Sequence, residues 1–131
     1  MTTLDSILEI VPGERATAIR HVPQTLDVFT THFPLFPVLP GVLILDDLVE
    51  VAGLVLAGRP NGSRIRWELA GVRRIRFRHF VEPGDSMEIS VQLTRLVDGV
   101  AECRGLVQVD GRSVTIVTEL YLRPTVRQAA A

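Results

Sequence analysis

One apolar segment, GVLILDDLVEVAGLVLA at residues 41–57, limits how the rest of the chain can fold. Gly41 opens this segment, and Gly58 and Pro60 follow it, so the pattern predicts a helix over residues 41–57. Apolar side chains point in nearly every direction around this helix, and a helix of that kind is buried on most of its sides. We therefore expect a central helix with other elements packed around it.

The remainder of the chain has the pattern of antiparallel strands. Residues 87–94 alternate between apolar and polar side chains, as in a strand with one buried face. Asp98-Gly99 and Asp110-Gly111 predict tight hairpin turns, and Ala70-Gly71 predicts a further turn. The expected extended segments are residues 14–22, 64–69, 72–80, 87–94, 101–109 and 114–122.

Together these patterns predict an α+β fold in which one curved antiparallel sheet wraps around a single long helix. The sheet of one chain leaves a side or an edge of this arrangement uncovered, so we expect a homo-oligomer built from dimers. The 131 residues are enough for one domain, residues 1–131, with loose ends at 1–6 and 124–131.

Composition excludes several classes of function. All 14 basic residues are arginine, which excludes chemistry that needs a lysine, such as a Schiff base or a P-loop. The net charge of -1 argues against a nucleic-acid-binding protein. The single cysteine, Cys103, excludes an internal disulfide and a cysteine-rich metal site, and its strand pattern places it in the core. No segment predicts a secretion signal or a membrane span, so we expect a cytoplasmic protein with no membrane partner.

The segment HFPLFPVLPGVLILD, residues 32–46, carries the candidate chemistry. His32 lies in a proline-stiffened loop that can hold a base in one orientation. Gly41 begins the helix, where unpaired N–H groups and the helix dipole favour developing negative charge. Asp46 is expected to enter an apolar interior, where burial favours a neutral carboxyl group, with Glu50 one turn further along. A base, an oxyanion donor and an acid together suit proton abstraction beside a carbonyl and departure of a hydroxyl.

The same segment resembles the hot-dog-fold 3-hydroxyacyl-acyl-carrier-protein dehydratases of bacterial fatty-acid synthesis. Their pattern, H-F-P-G-x-P-V-x-P-G-V-L followed three residues on by Glu or Asp, is similar to the segment from His32 to Asp46 without a gap. The resemblance continues through residues 70–72, 76–78, 81–85 and 109–111. Leu35, Asp47 and Glu50 depart from the pattern, since the family usually has Gly, Ala and Gln there.

This resemblance implies a role for each matched residue. His32 would take the proton from C2 of the acyl thioester, and the backbone carbonyl of Val38 would orient its imidazole. The N–H of Gly41 would polarise the thioester carbonyl. Asp46 of the second subunit would protonate the leaving 3-hydroxyl. Glu50 has no counterpart in the family pattern, and its place one turn from Asp46 makes it a candidate neighbour of that acid. The products would be a trans-2-enoyl thioester and water.

The resemblance also implies partners. The acyl group would arrive on the phosphopantetheine of acyl carrier protein, and the enzyme itself would need no metal or other cofactor. The subunits would form a dimer with shared active sites, or a hexamer of such dimers. Apart from the resemblance, a dense run of arginines on two adjacent predicted strands has two interpretations. It is either a solvated sheet face balanced by nearby acids or a dock for the acidic carrier, because forked guanidinium donors suit carboxylates and phosphates. Four of these arginines are the candidate docking residues. These are Arg73, Arg74, Arg76 and Arg78.

Two other functions remain open, and a third is disfavoured. A hot-dog acyl thioesterase also uses a helix acid and a helix N-terminus, although it does not need the His-Phe-Pro loop. A non-catalytic, dehydratase-like subunit that binds acyl carrier is favoured by Leu35 and Asp47, whereas retention of His32 and Asp46 argues against it. An (R)-specific enoyl-CoA hydratase would pair its Asp with an Asn, and the chain's single Asn61 lies outside any such motif.

Overall fold

A computed structural model of the chain describes residues 3–23, 38–57 and 66–125. These residues form one α-helix and six β-strands, which confirms the predicted class. In chain order the elements are β1 (Ser6–Val11), β2 (Arg15–His21), α1 (Gly41–Ala57), β3 (Trp67–Phe77), β4 (Ser86–Val97), β5 (Val100–Val109) and β6 (Arg112–Pro124). The bounds of α1 are those predicted from its sequence. No helix of the described residues is long and apolar enough to cross a membrane.

The six strands form one antiparallel sheet in the order β1-β2-β4-β5-β6-β3. Helix α1 packs on one face of this sheet, chiefly against β4 and β2. Alternate residues of the strands point toward the helix and form the core, as Ala16 and Ala18 do on β2 and Ile89 does on β4. Burial of this apolar surface is the main favourable contribution to folding.

The two predicted hairpin turns are confirmed by their backbone angles. Asp98 and Gly99 have φ values of 53° and 80°, and Asp110 and Gly111 have φ values of 52° and 77°. Two consecutive residues with positive φ are typical of a type I′ turn, whose twist matches that of the flanking strands. The turns therefore join β4 to β5 and β5 to β6 as the sequence indicates.

The predicted turn at Ala70-Gly71 is wrong. Strand β3 runs without interruption from Trp67 to Phe77 along β6, with a shift of pairing register between Leu69 and Gly71. A glycine inside a strand often marks such a bulge, and the same residue type also marks turns. The local sequence alone therefore does not distinguish a bulge in β3 from a turn at Gly71.

Residues near the N-terminus, predicted to be loose, are bound to the sheet. The N–H of Asp5 donates to the carbonyl of Ile19 at 2.8 Å, and the Asp5 carboxylate accepts from the N–H of His21 at 2.6 Å. Strand β1 follows directly, and its first five residues are exposed, so its sequence shows no alternation that would predict it. At the other end β6 continues to Pro124, and residues 126–131 lie outside the described part.

Helix α1 has one buried face and one open face. Its buried residues recur every three or four positions, at Ile44, Asp47, Leu48, Val51, Ala52, Val55 and Leu56. Val42, Asp46 and Gly53 lie on the opposite side; Val42 is 64% exposed, and a Cβ added at Gly53 would meet no atom within 4 Å. The sheet of one chain thus covers about half of this apolar helix, and the open side is available to another surface.

The β5–β6 turn provides a test of the fold. Replacing Gly111, whose φ is 77°, in a Gly111→Ala variant should lower the free energy of unfolding by about 1–2 kcal/mol, because a Cβ disfavours the left-handed region. Urea denaturation at fixed protein concentration measures the change. The neighbouring, exposed Arg112→Ala is the control and should stay within about 0.5 kcal/mol. Equal losses in both variants would contradict the turn geometry.

Candidate active site

The start of α1 is fixed by hydrogen bonds on both sides of Pro40. The N–H of Leu39 donates to the carbonyl of Val81 at 2.7 Å, which anchors the approach to the helix. The carbonyl of Pro40 then accepts from Leu43 at 3.0 Å and from Ile44 at 3.4 Å. Gly41 is the first helical residue, so its N–H has no partner within the helix and lies at the positive end of the helix dipole. An anion or a polarised carbonyl would be stabilised there.

Phe77 lies directly against this helix start. A Cβ built on Gly41 would come within 2.7 Å of Cζ of the Phe77 ring, so a larger residue would displace the ring. The ring itself is half exposed, at the end of β3. Sequence reasoning missed Phe77, because its contact with Gly41 joins the first residue of α1 to the last residue of β3, a pairing that no local pattern shows.

Asp46 does not enter the interior of its own chain. It is exposed on the open face of α1, and no hydrogen bond or ion pair joins it to another described residue. The neighbouring Asp47 is the buried acid, at 1% exposure. The expectation that Asp46 occupies an apolar interior is therefore wrong for a single chain, and it would be met only if another surface covered the open face.

Asp47 belongs to a polar cluster between the helix and the sheet. Arg20 Nη1 donates to Asp47 Oδ2 at 2.6 Å, and Thr3 Oγ1 donates to Asp47 Oδ1 at 2.7 Å. Glu50 Oε1 accepts from the Thr3 N–H at 3.3 Å, and the role of Glu50 beside Asp46 stays a prediction. Neither Arg20 nor Thr3 was predicted, although an arginine at a core-facing strand position is a usable signal for a buried acid.

The predicted docking arginines lie at the end of β3 and just beyond it. All four are exposed, and Arg76 and Arg78 flank Phe77, which contacts the helix start. Arg74 Nε lies 3.8 Å from Glu119 Oε2, whereas no ion pair joins Arg76 or Arg78 to another described residue. The structure thus places these arginines at the end of β3 that carries Phe77, although neighbouring side chains of a strand project to opposite faces.

Two further residues of the predicted site, His32 and Val38, belong to the segment that precedes α1. His32 lies in residues 24–37, outside the described residues, so its role stays a prediction. Val38 is described and half-buried, three residues before the helix. Within the described ranges, no group of three His, Cys, Asp or Glu side chains could hold a metal ion.

Solved structures show the class of fold. A chain of the dehydratase heterocomplex ApeI:P from Xenorhabdus doucetiae superposes with a TM-score of 0.74 at 15% identity, covering 96% of this chain and 84% of that one. A mutant of the phenylacetic acid degradation protein PaaI from Thermus thermophilus gives a TM-score of 0.66 at 18% identity, covering 90% and 91% of the two chains. The six-stranded antiparallel sheet around one helix is the hot-dog fold, as the sequence predicts.

Sequence comparison shows the family. The profile of the FabA-like domain matches residues 1–118. The 3-hydroxyacyl-acyl-carrier-protein dehydratase FabZ of Bacillus pumilus is 37% identical over 108 residues, 82% of this chain and 75% of the relative. FabZ of Oenococcus oeni is 34% identical over 122 residues, 93% and 88% of the two chains. The chain belongs to the FabA-like family, and the resemblance found in the sequence is confirmed.

Cys103 is a core residue, as predicted, and its chemistry follows from burial. It is fully buried on β5, and burial, with a smaller effect of the Glu102 charge, raises the pKa of its thiol to about 12. The thiolate fraction at pH 8 is then far below that of an ordinary cysteine.

The native protein should therefore resist alkylation by iodoacetamide at pH 8 and react fully once unfolded in urea. Mass spectrometry after a timed reaction measures the modified fraction. Because the folded pKa lies above the unfolded value, raising the pH to 9 should leave the native protein largely unmodified. Rapid native labelling would contradict the burial of Cys103.

Proposed function

We propose that the protein dehydrates (3R)-hydroxyacyl groups carried on acyl carrier protein to trans-2-enoyl groups, as a hydro-lyase of fatty-acid or related acyl-chain synthesis. The observation that carries this proposal is the placement of Gly41 and Asp46 on one helix of a FabA-like chain. The N–H of Gly41 has no partner within the helix, and Asp46, on the open face, has no hydrogen bond or ion pair with another described residue. The curated relatives named as dehydratases support the same reaction.

The reaction needs one base, one carbonyl-polarising donor and one acid. His32 takes the proton from C2 while the Gly41 N–H stabilises charge on the thioester oxygen, and Val38 orients the imidazole through its carbonyl. The electron pair of the broken C2–H bond forms the C2–C3 double bond. Asp46 protonates the 3-hydroxyl, and the C3–O bond breaks to release water. No step needs a metal or a redox cofactor.

A second copy of the chain completes this site in our proposal. Asp46 shares the open face of α1 with Val42 and Gly53, so an apolar surface that covers the face would also enclose the acid. Edge strand β3 is paired with β6 on one side only, so its outward-pointing backbone N–H and C=O groups have no partner strand in the described part of the chain. A dimer would bury both features, with Asp46 acting in the site of the partner's His32.

Removal of either catalytic side chain should abolish turnover. His32→Ala and Asp46→Asn should each lower kcat by about 10²–10⁴-fold, because each removes one proton-transfer group. Enoyl formation from a 3-hydroxyacyl carrier protein is followed by ultraviolet absorbance or mass spectrometry. Two exposed residues provide matched controls, His21→Ala and Asp98→Asn, and both should keep near wild-type rates.

Mixing the two inactive variants tests the shared site. If each site takes His32 and Asp46 from different chains, half of the re-assorted dimers contain one intact site, and about a quarter of wild-type activity returns. No recovery after verified subunit exchange would mean that both residues act within one chain. Hydrolysis to free acid by the wild type would indicate a thioesterase, and carrier binding without turnover would indicate a non-catalytic subunit.

The basic residues at the end of β3 form the proposed carrier dock. Arg76 precedes and Arg78 follows Phe77, which touches Gly41, so a carrier bound at this end of β3 would bring its phosphopantetheine to the end of the strand at which α1 begins. Arg73 and Arg74 extend the surface along the same strand. An acidic partner meeting this surface would be steered electrostatically, in a manner weakened by salt.

A charge-removal pair tests the dock. Arg76→Gln combined with Arg78→Gln should raise KM for carrier-linked substrate about fivefold to tenfold, with kcat and KM for a pantetheine-linked substrate little changed. The control, Arg95→Gln with Arg123→Gln, removes the same charge from β4 and from the far end of β6, and should leave KM unchanged. Kinetics insensitive to salt and equal in both variants would contradict docking at this surface.

A further inference from the structure

A buried ion pair joins α1 to strand β2 of the sheet. Arg20 lies on β2 at a core-facing position, in alternation with Ala16 and Ala18, and is only 7% exposed. Its guanidinium Nη1 donates to Asp47 Oδ2 at 2.6 Å, where both side chains are almost completely removed from water. Strand β2 is paired with β1 on one side and with β4 on the other, so Arg20 is held on a rigid support.

Thr3 makes a second, independent connection to the same helix. Its hydroxyl donates to the remaining oxygen of Asp47 at 2.7 Å, and its N–H donates to Glu50 Oε1 at 3.3 Å. Thr3 is held in turn by the pairing of Asp5 with Ile19 and His21 on β2. Both carboxylate oxygens of Asp47 are therefore occupied, one from the sheet and one from the N-terminal segment.

We infer that Arg20, Asp47 and Thr3 form a helix clamp that fixes the rotation of α1 and thereby aims Asp46 into the active site. Asp46 precedes Asp47 in the helix, so the two side chains project about 100° apart and cannot rotate separately. The clamp residues touch no substrate; they are positioning residues for the acid. This inference rests on the proposed function, since that function gives Asp46 its role.

The clamp matters because small rotations of a helix move side-chain tips by catalytically important distances. Side chains extend to about 5–6 Å from the helix axis, so a rotation of about 10° displaces the Asp46 carboxyl by about 1 Å. A misplacement of about 1 Å can lower a rate by up to about 100-fold. Apolar packing alone tolerates adjustments of this size, whereas two hydrogen bonds to opposite oxygens of one carboxylate do not.

Net stability does not account for this arrangement. A buried ion pair gains little over a well-packed apolar pair, because both charges lose their hydration. The other buried positions of α1 are apolar and complete the packing. The pair supplies a fixed geometry, which a Leu or Val at position 47 would not.

The test compares variants that break the clamp with variants that only weaken the core. Asp47→Asn should lower kcat about tenfold with KM within twofold, and should shift the ¹³C resonance of the Asp46 carboxyl group. Thr3→Val, an isosteric change at an exposed residue, should lower kcat by a smaller factor, and Thr3→Ser should restore it. Val107→Ala on β5 is the control that destabilises the fold away from the clamp.

Each outcome decides the inference. If kcat and the Asp46 resonance in Asp47→Asn match those in Val107→Ala, the pair is structural only and the inference is overturned. If Asp47→Asn fails to fold, the contrast between Thr3→Val and Thr3→Ser decides in its place. If wild-type protein shows no dehydration, the proposed function fails, while the Asp46 resonance still reports whether the clamp orients that carboxyl group.

Discussion

Helix α1 carries more apolar surface than the sheet of a single chain covers, and most of the structure follows from this. One face, from Ile44 to Leu56, is buried against the core strands, while Val42 on the other side is mostly exposed. An exposed apolar face of this kind marks an interaction surface. The acid of the proposed site lies on that same face, so one contact would both complete the packing of the helix and enclose Asp46.

The position of the helix is set by polar as well as apolar contacts. Leu48 fills the space beside Gly105, where an added Cβ would come within 2.8 Å of Leu48 Cδ2, so sheet and helix approach closely there. Arg20 and Asp47 then fix the rotation that this close packing leaves adjustable. Loss of one member of such a pair costs about 3–5 kcal/mol, because it leaves the other charge buried and unpaired. The pair therefore strongly disfavours other rotations of α1 about its axis, even though it adds little net stability.

Much of the fold could be predicted because its signals are local. The bounds of α1, the alternation of residues 87–94 and the two Asp-Gly turns each depend on a few neighbouring residues. Strand β1 could not be predicted, because its pairing with β2 shows no buried alternation. The continuation of β3 through Gly71 could not be predicted either, because only its pairing with β6 distinguishes a bulge from a turn.

The candidate site was predictable to a smaller extent, and the reason is the direction in which each acid points. The motif identified Gly41 and Asp46 by spacing, but spacing does not show which of two adjacent acids faces the sheet. That information was present elsewhere: residues 44, 48, 51 and 55 define the buried face, and position 47 lies on it while position 46 lies opposite. Arg20, in the core-facing phase of β2, required a buried acid as its partner, and among the three acids of α1 only Asp47 lies on the buried face. Interpreting the strand and the helix together would thus have separated the buried acid, Asp47, from Asp46, the acid proposed to act in catalysis.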